Sequence, residues 1–135
     1  MSPRKSVLIP RQVKDLGFKP VFVSCGASHS LMLSTDGEVW GLGSSMQGEL
    51  GTKDNFFFPK KVELPNKITA VACGEHHSIV RDEDGQLFGS GRNEHGQLGM
   101  LGNCVEQFSP ILLPSYTINV ISCGPTSSVF LDCSN

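Results

Sequence analysis

The chain repeats itself with a constant offset of 48 residues. Residues 23–51 recur as residues 71–99, and 12 of the 29 aligned positions are identical. A third copy opens at Cys123 and Gly124. The identities fall mostly in three motifs: Cys-Gly-x-x-His-Ser at 25–30 and 73–78, Asp-Gly then Gly-x-Gly at 36–43 and 84–91, and Gly-x-Leu-Gly at 48–51 and 96–99. A glycine-rich unit of this length cannot bury a core alone, so the copies must stack against one another.

Each unit is predicted to contain short strands and no helix. An apolar run of strand length opens every copy, at residues 21–25, 68–73 and 118–123. A second strand begins at Ser30 or Ser78 and leads to an Asp-Gly pair, which favours a tight hairpin turn. The return strands carry Trp40 and Phe88 at the same repeat position, so we expect this aromatic side chain to pack between neighbouring sheets.

A fourth strand is predicted to begin at a proline in each unit. Pro59 and Pro110 precede short apolar stretches, and an edge strand tolerates proline at its start. Residues 10–16 also begin with a proline and resemble these two stretches, so they are predicted to be the tail strand of a preceding unit. Four short strands per unit describe a β-propeller blade. The predicted fold class is therefore all-β, with about two and a half four-stranded antiparallel blades. The predicted domain is one partial propeller over 1–135, with units at about 21–66, 69–114 and 118–135.

Composition argues against nucleic-acid and membrane partners. The chain has 11 Lys and Arg residues against 13 Asp and Glu, so its net charge of −2 provides no basic surface for nucleic acid. No apolar stretch approaches the ~20 residues of a transmembrane helix, and we expect no signal peptide from the opening residues.

The five cysteines are predicted to be reduced. Cys25, Cys73 and Cys123 are repeat equivalents, so each should occupy the same buried position in a different blade. We expect such positions to lie too far apart for the Cα separation of about 4.4–6.8 Å that a disulfide needs. Free buried thiols favour a cytoplasmic or nuclear protein. No paired ligand spacing is present, so we expect no metal.

Cofactor motifs do not match either. Gly41-x-Gly43 has Met46 where a dinucleotide fingerprint needs its third glycine, and Gly51-Thr52-Lys53 has the wrong order for a phosphate loop. We interpret both as turn glycines and expect no cofactor.

The recurring histidines are the remaining candidates for chemistry. His29 and His77 could act as bases, but no nucleophile or paired carboxylate recurs beside them. Catalytic residues have no reason to recur with a structural period. We therefore interpret each histidine as tying a loop through hydrogen bonds to backbone, with surface recognition as the alternative, and we expect no enzyme.

The three motifs together resemble the regulator of chromosome condensation repeat, from about residue 10 to residue 132. The resemblance implies a seven-bladed propeller when complete. The founding member of that family is a nucleotide exchange factor for a nuclear small GTPase, and many relatives are interaction modules within ubiquitin ligases, kinases or signalling proteins. The structural repeat positions matched here are Cys25, Gly26, Cys73, Gly74, Cys123, Gly124, Trp40 and Phe88.

The resemblance also implies a binding end, because the founding member docks its GTPase with the loops that follow the Cys-Gly pairs. By motif position these loops are Ala27, Ser28 and His29; Glu75, His76 and His77; and Pro125, Thr126 and Ser127. The third loop departs from the pattern, with serine in place of histidine. The founding member also uses an inserted β-wedge, and nothing here is long enough to form one. Glu75 and His76 are the better candidates for a specific contact, because the repeat does not explain them.

Phe56, Phe57 and Phe58 form the most unusual local feature. Three adjacent aromatic side chains cannot all point inward. They either pack across a blade junction or offer a hydrophobic anchor to a partner.

These observations predict a non-enzymatic protein-interaction module. The alternative is a guanine nucleotide exchange factor, or part of one, for a Ran-like small GTPase, and a second alternative is a fragment without independent activity. Self-association that completes the propeller is also open.

Overall fold

Within each sheet, strands that follow one another in the chain pair with one another. The computed structural model describes residues 8–133, which contain ten strands and no helix. The strands are β1 (Pro20–Cys25), β2 (His29–Ser34), β3 (Val39–Gly43), β4 (Phe56–Lys61), β5 (Ile68–Cys73), β6 (His77–Asp82), β7 (Leu87–Arg92), β8 (Cys104–Ile111), β9 (Ile118–Cys123) and β10 (Ser128–Asp132). They form antiparallel sheets β1-β2-β3-β4 and β5-β6-β7-β8 and the pair β9-β10. We call these blade 1, blade 2 and half-blade 3; the predicted all-β class with incomplete propeller is confirmed.

The Asp-Gly turns are held by the last polar residue of each second strand. In blade 1, Ser34 Oγ accepts hydrogen bonds from the backbone N–H groups of Asp36 and Glu38. In blade 2, the buried Asp82 carboxylate does the same for residues 84 and 86. Gly37 and Gly85 adopt φ of 79° and 84°, the left-handed region that the sequence predicts at these turns.

Blade 2 buries one face against blade 1 and the other against half-blade 3. Val71, Val80 and Phe88 are direct cross-strand neighbours on β5, β6 and β7, and all three belong to the core between blades 1 and 2. Ile79 and Leu87 belong to the second core, which lies between blade 2 and half-blade 3. Because side chains alternate along a strand, adjacent residues of blade 2 serve two different cores.

The two outer sheets each keep one face open within the described residues. The leading face of blade 1 carries the cross-strand row Val23, Met32 and Trp40 together with Cys25. The trailing face of half-blade 3 carries Val120, Val129 and Leu131. These two surfaces keep the names leading face and trailing face below.

Phe18 covers part of the leading face. Its ring stacks on Trp40 with the centroids 4.4 Å apart and the planes 5° apart. Phe88, the repeat equivalent of Trp40, is instead buried between two blades. The expectation that the recurring aromatic packs between sheets therefore does not apply to Trp40, because no preceding sheet lies against blade 1 in the described chain.

Both prolines lie inside the fourth strands rather than at their starts. β4 begins at Phe56 and β8 at Cys104, so Pro59 and Pro110 follow three and six residues later. These are the outermost strands of their blades, and an edge strand has positions where no N–H donor is needed. The predicted strand start is corrected accordingly.

Residues 10–16 form no strand. The segment was expected to be the tail strand of a preceding unit, but Val13 is exposed and the segment pairs with no sheet. A strand requires a partner for its backbone groups, and no strand within residues 8–133 pairs with this segment. The domain bounds remain a prediction, and residues 1–7 and 134–135 of that prediction lie outside the described part of the chain.

The Gly-x-Gly glycines lie on strands β3 and β7, not in turns. A Cβ on Gly41 would lie 2.9 Å from the Leu50 side chain, and one on Gly43 would overlap the backbone of Ser28. Gly43 also has a φ of 107°. The interpretation of these residues as turn glycines is therefore wrong: they allow loops to approach the strand closely.

Candidate functional site

The recurring histidines connect each blade to the next. His29 Nε2 lies 2.9 Å from the hydroxyl of Ser78, and this hydroxyl donates to the backbone carbonyl of Glu49 at 2.7 Å. A serine hydroxyl has one proton, so Ser78 Oγ must accept its second bond from the Nε2–H of His29. We call this chain of histidine, serine and carbonyl the inter-blade latch.

The latch is repeated between blade 2 and half-blade 3. His77 Nε2 lies 2.9 Å from Ser128 Oγ, and this hydroxyl donates to the carbonyl of Gln97 at 2.7 Å. Ser78 and Ser128 therefore each bind a histidine of the blade before them, while His29 and His77 each reach to the blade after them. The third copy has Ser127 at the histidine position, so half-blade 3 has no histidine for a following blade.

The glycine of the motif makes room for the latch. A Cβ on Gly26 would overlap the His29 ring and would lie 2.5 Å from the carbonyl oxygen of Gly74. A Cβ on Gly74 would overlap the His77 ring and lie 2.7 Å from the carbonyl oxygen of Gly124. Only glycine lets the imidazole fold back and the next loop approach.

Both imidazoles are neutral at pH 7. Burial, together with the neighbouring His76 and His77, lowers the pKa of His29 to about 4. Burial also lowers the pKa of His77. A neutral ring with its proton on Nε2 is the form that can donate to serine, so the electrostatics and the hydrogen bonds agree.

His29 and His77 are removed from the candidate partner-binding residues. Their side chains are 3% and 0% exposed, so they cannot contact a partner. Each imidazole hydrogen-bonds a serine hydroxyl of the next blade, in addition to the expected contact with backbone, which is at residue 77 for His29 and at residue 127 for His77. They are structural residues that act between blades.

The remaining predicted loop residues form one surface. The Ala27 N–H donates to the Glu75 carbonyl at 3.0 Å, and the Glu75 N–H donates to the Pro125 carbonyl at 3.3 Å. Three loops from three blades thus lie side by side, at residues 26–28, 74–76 and 124–126, and we call them the loop ridge. A groove of about 460 Å³ runs beside it, lined by the three Cys-Gly pairs and by Ala27, Glu75 and Pro125.

The ridge exposes different side chains in each copy. Those of Ala27, Ser28, Glu75, Pro125 and Thr126 are exposed, and His76 is half-buried; Ser127, directly after the third loop, is exposed as well. The repeat fixes the backbone of the ridge, while its exposed side chains change from blade to blade.

His76 joins the ridge to a buried carboxylate that sequence reasoning missed. His76 Nδ1 lies 3.3 Å from Glu49 Oε1, and its Nε2 lies 3.8 Å from Glu75 Oε1. Glu49 is buried, and its other oxygen accepts the backbone N–H of Gln47 at 2.9 Å. Gln97, the repeat equivalent, accepts the N–H of His95 in the same way, so the difference between Glu and Gln inside the Gly-x-Leu-Gly motif was the available signal.

The three phenylalanines divide between the core and the surface. Phe56 is buried in the core between blades 1 and 2, and the Lys60 ammonium lies 5.1 Å from its ring centroid. Phe57 and Phe58 are exposed, Phe58 at 81%. A hydrophobic anchor at this site would use Phe57 and Phe58, of which Phe58 is the more exposed.

The repeat-equivalent cysteines do not share one environment. All five cysteines are free thiols, but Cys73 is buried, Cys123 is partly buried and Cys25 is exposed. The expectation of equivalent burial fails at Cys25 because it lies on the open leading face. Burial raises the pKa of Cys73 to about 12 and raises that of Cys123, so neither is an activated nucleophile.

Residues 8–133 bring together no cluster of three or more metal-ligating His, Cys, Asp or Glu side chains. Within the same residues there is no helix that could span a membrane.

Stacked four-stranded antiparallel sheets with a recurring inter-blade latch define a β-propeller repeat protein. Two models of the Regulator of chromosome condensation (RCC1) repeat match the chain, one at residues 36–81 and 84–131 and the other at 21–48 and 68–97. These matches cover more than half of the sequence. The chain belongs to the RCC1 repeat family.

Solved relatives share the fold over nearly the whole chain. The crystal structure of human WBSCR16 has a TM-score of 0.82 and 25% identity, covering 96% of this chain and 37% of that one. Prp20p from Saccharomyces cerevisiae, described with its binding properties to Gsp1p and histones, has a TM-score of 0.79 and 25% identity over 91% of this chain and 33% of its own. The serine/threonine-protein kinase Nek8 of Danio rerio is 42% identical over 57 residues, which are 41% of this chain and 8% of the kinase. The chain therefore spans about a third of each of the two solved relatives and a small part of the kinase.

Proposed function

We propose that this chain is a non-catalytic protein-interaction module that contacts its partner through the loop ridge. One observation carries the proposal: backbone hydrogen bonds from Ala27 to Glu75 and from Glu75 to Pro125 align three loops whose exposed side chains differ between copies. A surface that combines a repeated backbone with varied side chains is suited to specific recognition.

The recurring polar residues support a non-catalytic role. His29 and His77 are neutral and buried, and each uses Nε2 to hold the next blade. The hydroxyl groups of their serine partners donate hydrogen bonds to backbone carbonyls, so neither serine is activated as a nucleophile. The recurring histidine and serine, the best candidates for catalytic residues in the sequence, therefore stabilise the stacking of the blades.

The ridge favours a partner with basic or hydrogen-bond-donating groups. Glu75 is exposed and is the only acidic residue among 26–28, 74–76 and 124–126. His76 lies between the Glu75 and Glu49 carboxylates, which ties the exposed carboxylate to the buried one. Gsp1p and histones, named with the relative Prp20p, are the first partners to test.

Binding of immobilised chain to purified Gsp1p and to histones tests the proposal. Glu75→Ala and His76→Ala should each weaken binding about tenfold or more, the effect of a central contact. His95→Ala is the matched control, because His95 is an exposed histidine outside the ridge. Phe58→Ala tests the anchor alternative. If Phe58→Ala abolishes binding and the ridge substitutions leave it unchanged, the binding site lies on β4 rather than on the loop ridge.

The alternative function is nucleotide exchange on a Ran-like GTPase, as part of a longer chain or an assembly. The similarity to Prp20p over 91% of this chain favours it. Release of labelled nucleotide from Gsp1p distinguishes the two functions: an interaction module leaves the rate at background, and an exchange factor accelerates it. The second alternative, a fragment without independent activity, predicts no binding to any partner by a folded chain.

A cytoplasmic or nuclear location is part of the same proposal. The five free cysteines support it, because disulfides are rare in those reducing compartments.

A further inference from the structure

Among residues 8–133, two sheet faces are open, and the surface that would cover each of them is present elsewhere in the same chain. We propose that copies of the chain associate head to tail, with the trailing face of one copy packing on the leading face of the next. The interaction is heterologous, because the two contributing surfaces differ.

The leading face repeats a surface that is already buried once. Its row Val23, Met32 and Trp40 occupies the same cross-strand positions as Val71, Val80 and Phe88 in blade 2. The blade 2 row is buried against blade 1. On the leading face Val23 is 52% exposed, although Phe18 stacks on Trp40 beside it.

The trailing face likewise repeats a buried surface. Val129 on β10 takes the position that Leu31 has on β2 and Ile79 has on β6. Both equivalents are fully buried against the following sheet, whereas Val129 is 66% exposed. Leu131 and Val120 are exposed beside it and pair across β10 and β9.

A trailing apolar face therefore packs on a leading apolar face twice within one chain, once between blades 1 and 2 and once between blade 2 and half-blade 3. The second junction also shows that two strands are enough on one side, because Ile118, Ile121 and Phe130 pack into the core of blade 2. A second copy of this chain presents the surface that each open face is built to cover, which identifies the occupant.

The contact between copies lacks one element of the internal junctions. Ser127 replaces the histidine that would reach the next blade, and Ser30, the acceptor position on the leading face, donates instead to Cys25 Sγ at 3.4 Å. Association is accordingly weaker than packing within the chain and depends on concentration.

Sedimentation equilibrium of the chain over a range of concentrations measures this association. The mass should rise with concentration, and Val23→Lys or Val129→Lys should each return it to the monomer. Leu101→Lys is the matched control, because Leu101 is a fully exposed apolar residue on neither face. A wild-type chain that stays monomeric at its solubility limit overturns the proposal, as does association that survives either face substitution.

Mixing the two face variants tests the head-to-tail geometry. Val23→Lys keeps an intact trailing face and Val129→Lys keeps an intact leading face, so their mixture should form a dimer with one copy of each and nothing larger. A mixture that remains monomeric, while the wild-type chain associates, overturns the geometry.

The missing latch provides a gain-of-function test at an exposed loop position. Ser127→His should tighten association about 2- to 10-fold, the net effect of one hydrogen bond. Adding Ser30→Ala should remove the gain. A gain that persists without Ser30, or no gain at all, contradicts the proposed register. Glu75→Ala leaves both faces intact, so a failure of ridge binding and a failure of self-association are separate results.

Discussion

Phe18 stacks on Trp40 with centroids 4.4 Å apart and planes 5° apart. Trp40 is the single tryptophan of the chain, and its repeat equivalent, Phe88, is covered by a whole blade. The segment before β1 thus provides part of the cover that a preceding sheet provides inside the stack. Apolar blade faces require such cover, and Phe18 supplies part of it for blade 1.

Removal of Phe18 should expose Trp40. We expect Phe18→Ala to shift the tryptophan emission to longer wavelength and to lower the free energy of unfolding by about 1–2 kcal/mol, because a stacked aromatic pair and its buried area are lost. Fluorescence spectra and urea unfolding measure both effects. Phe58→Ala, which removes an exposed ring, should change neither. An unchanged emission spectrum in Phe18→Ala would show that the stack does not form.

Acid should weaken the chain through its buried histidines. The pKa of His29 is lowered from 6.5 to about 4 and that of His77 is also lowered, so the unfolded chain binds more protons than the folded chain in this window. Stability is therefore greatest above pH 6.5, falls as the pH drops from 6.5 towards 4, and loses about 3 kcal/mol through His29 alone. Urea unfolding at a series of pH values measures this dependence.

The matched variant is His29→Gln combined with His77→Gln. Glutamine keeps an N–H donor but does not titrate, so the fall between pH 6.5 and 5 should flatten, while carboxylate titration at lower pH is retained. A slope that is equally steep without the two histidines would assign the effect to other groups.

The motif glycines should differ in their tolerance of alanine. A Cβ on Gly74 would overlap the His77 ring, whereas one on Gly124 would meet only the small Ser127 side chain, with Oγ at 2.8 Å. We expect Gly74→Ala to cost more than about 2 kcal/mol and Gly124→Ala to cost less than about 1 kcal/mol. Thermal or urea unfolding compares them, and equal costs would contradict the role given to the imidazole.

The architecture could be predicted from the sequence because the same pattern of strands and turns occurs in two full copies. The Asp-Gly turns and the apolar runs placed the starts of β1–β3 and β5–β7 within one residue. The fourth strands begin earlier than the sequence predicts, because Pro59 and Pro110 lie on an outer edge where a strand can run through a proline. Residues 10–16 resembled a fourth strand, but similarity to a strand provides no sheet edge with which to pair.

The connections between blades were less predictable. The hydrogen-bond acceptor of His29 is Ser78, which lies 49 residues further along the chain. The sequence of a single repeat unit suggests instead that the histidine binds within its own loop. The third copy indicates the correct pairing, because it has Ser128 but no histidine at position 127. Its serine can therefore bind only a histidine of the preceding blade. The stack of Phe18 on Trp40 had no signal of this kind, because Phe18 lies outside the repeated segment.

A double-mutant cycle between His29 and Ser78 tests most directly whether the recurring motif holds blades together. His29→Ala and Ser78→Ala should each destabilise the chain, and the double variant should lose less than their sum, with a coupling energy of about 1 kcal/mol at pH 7. The pair His95→Ala and Ser78→Ala serves as the uncoupled control. If the His29 and Ser78 losses add without coupling, the latch contributes nothing, and the assignment of the repeat histidines to blade stacking is contradicted.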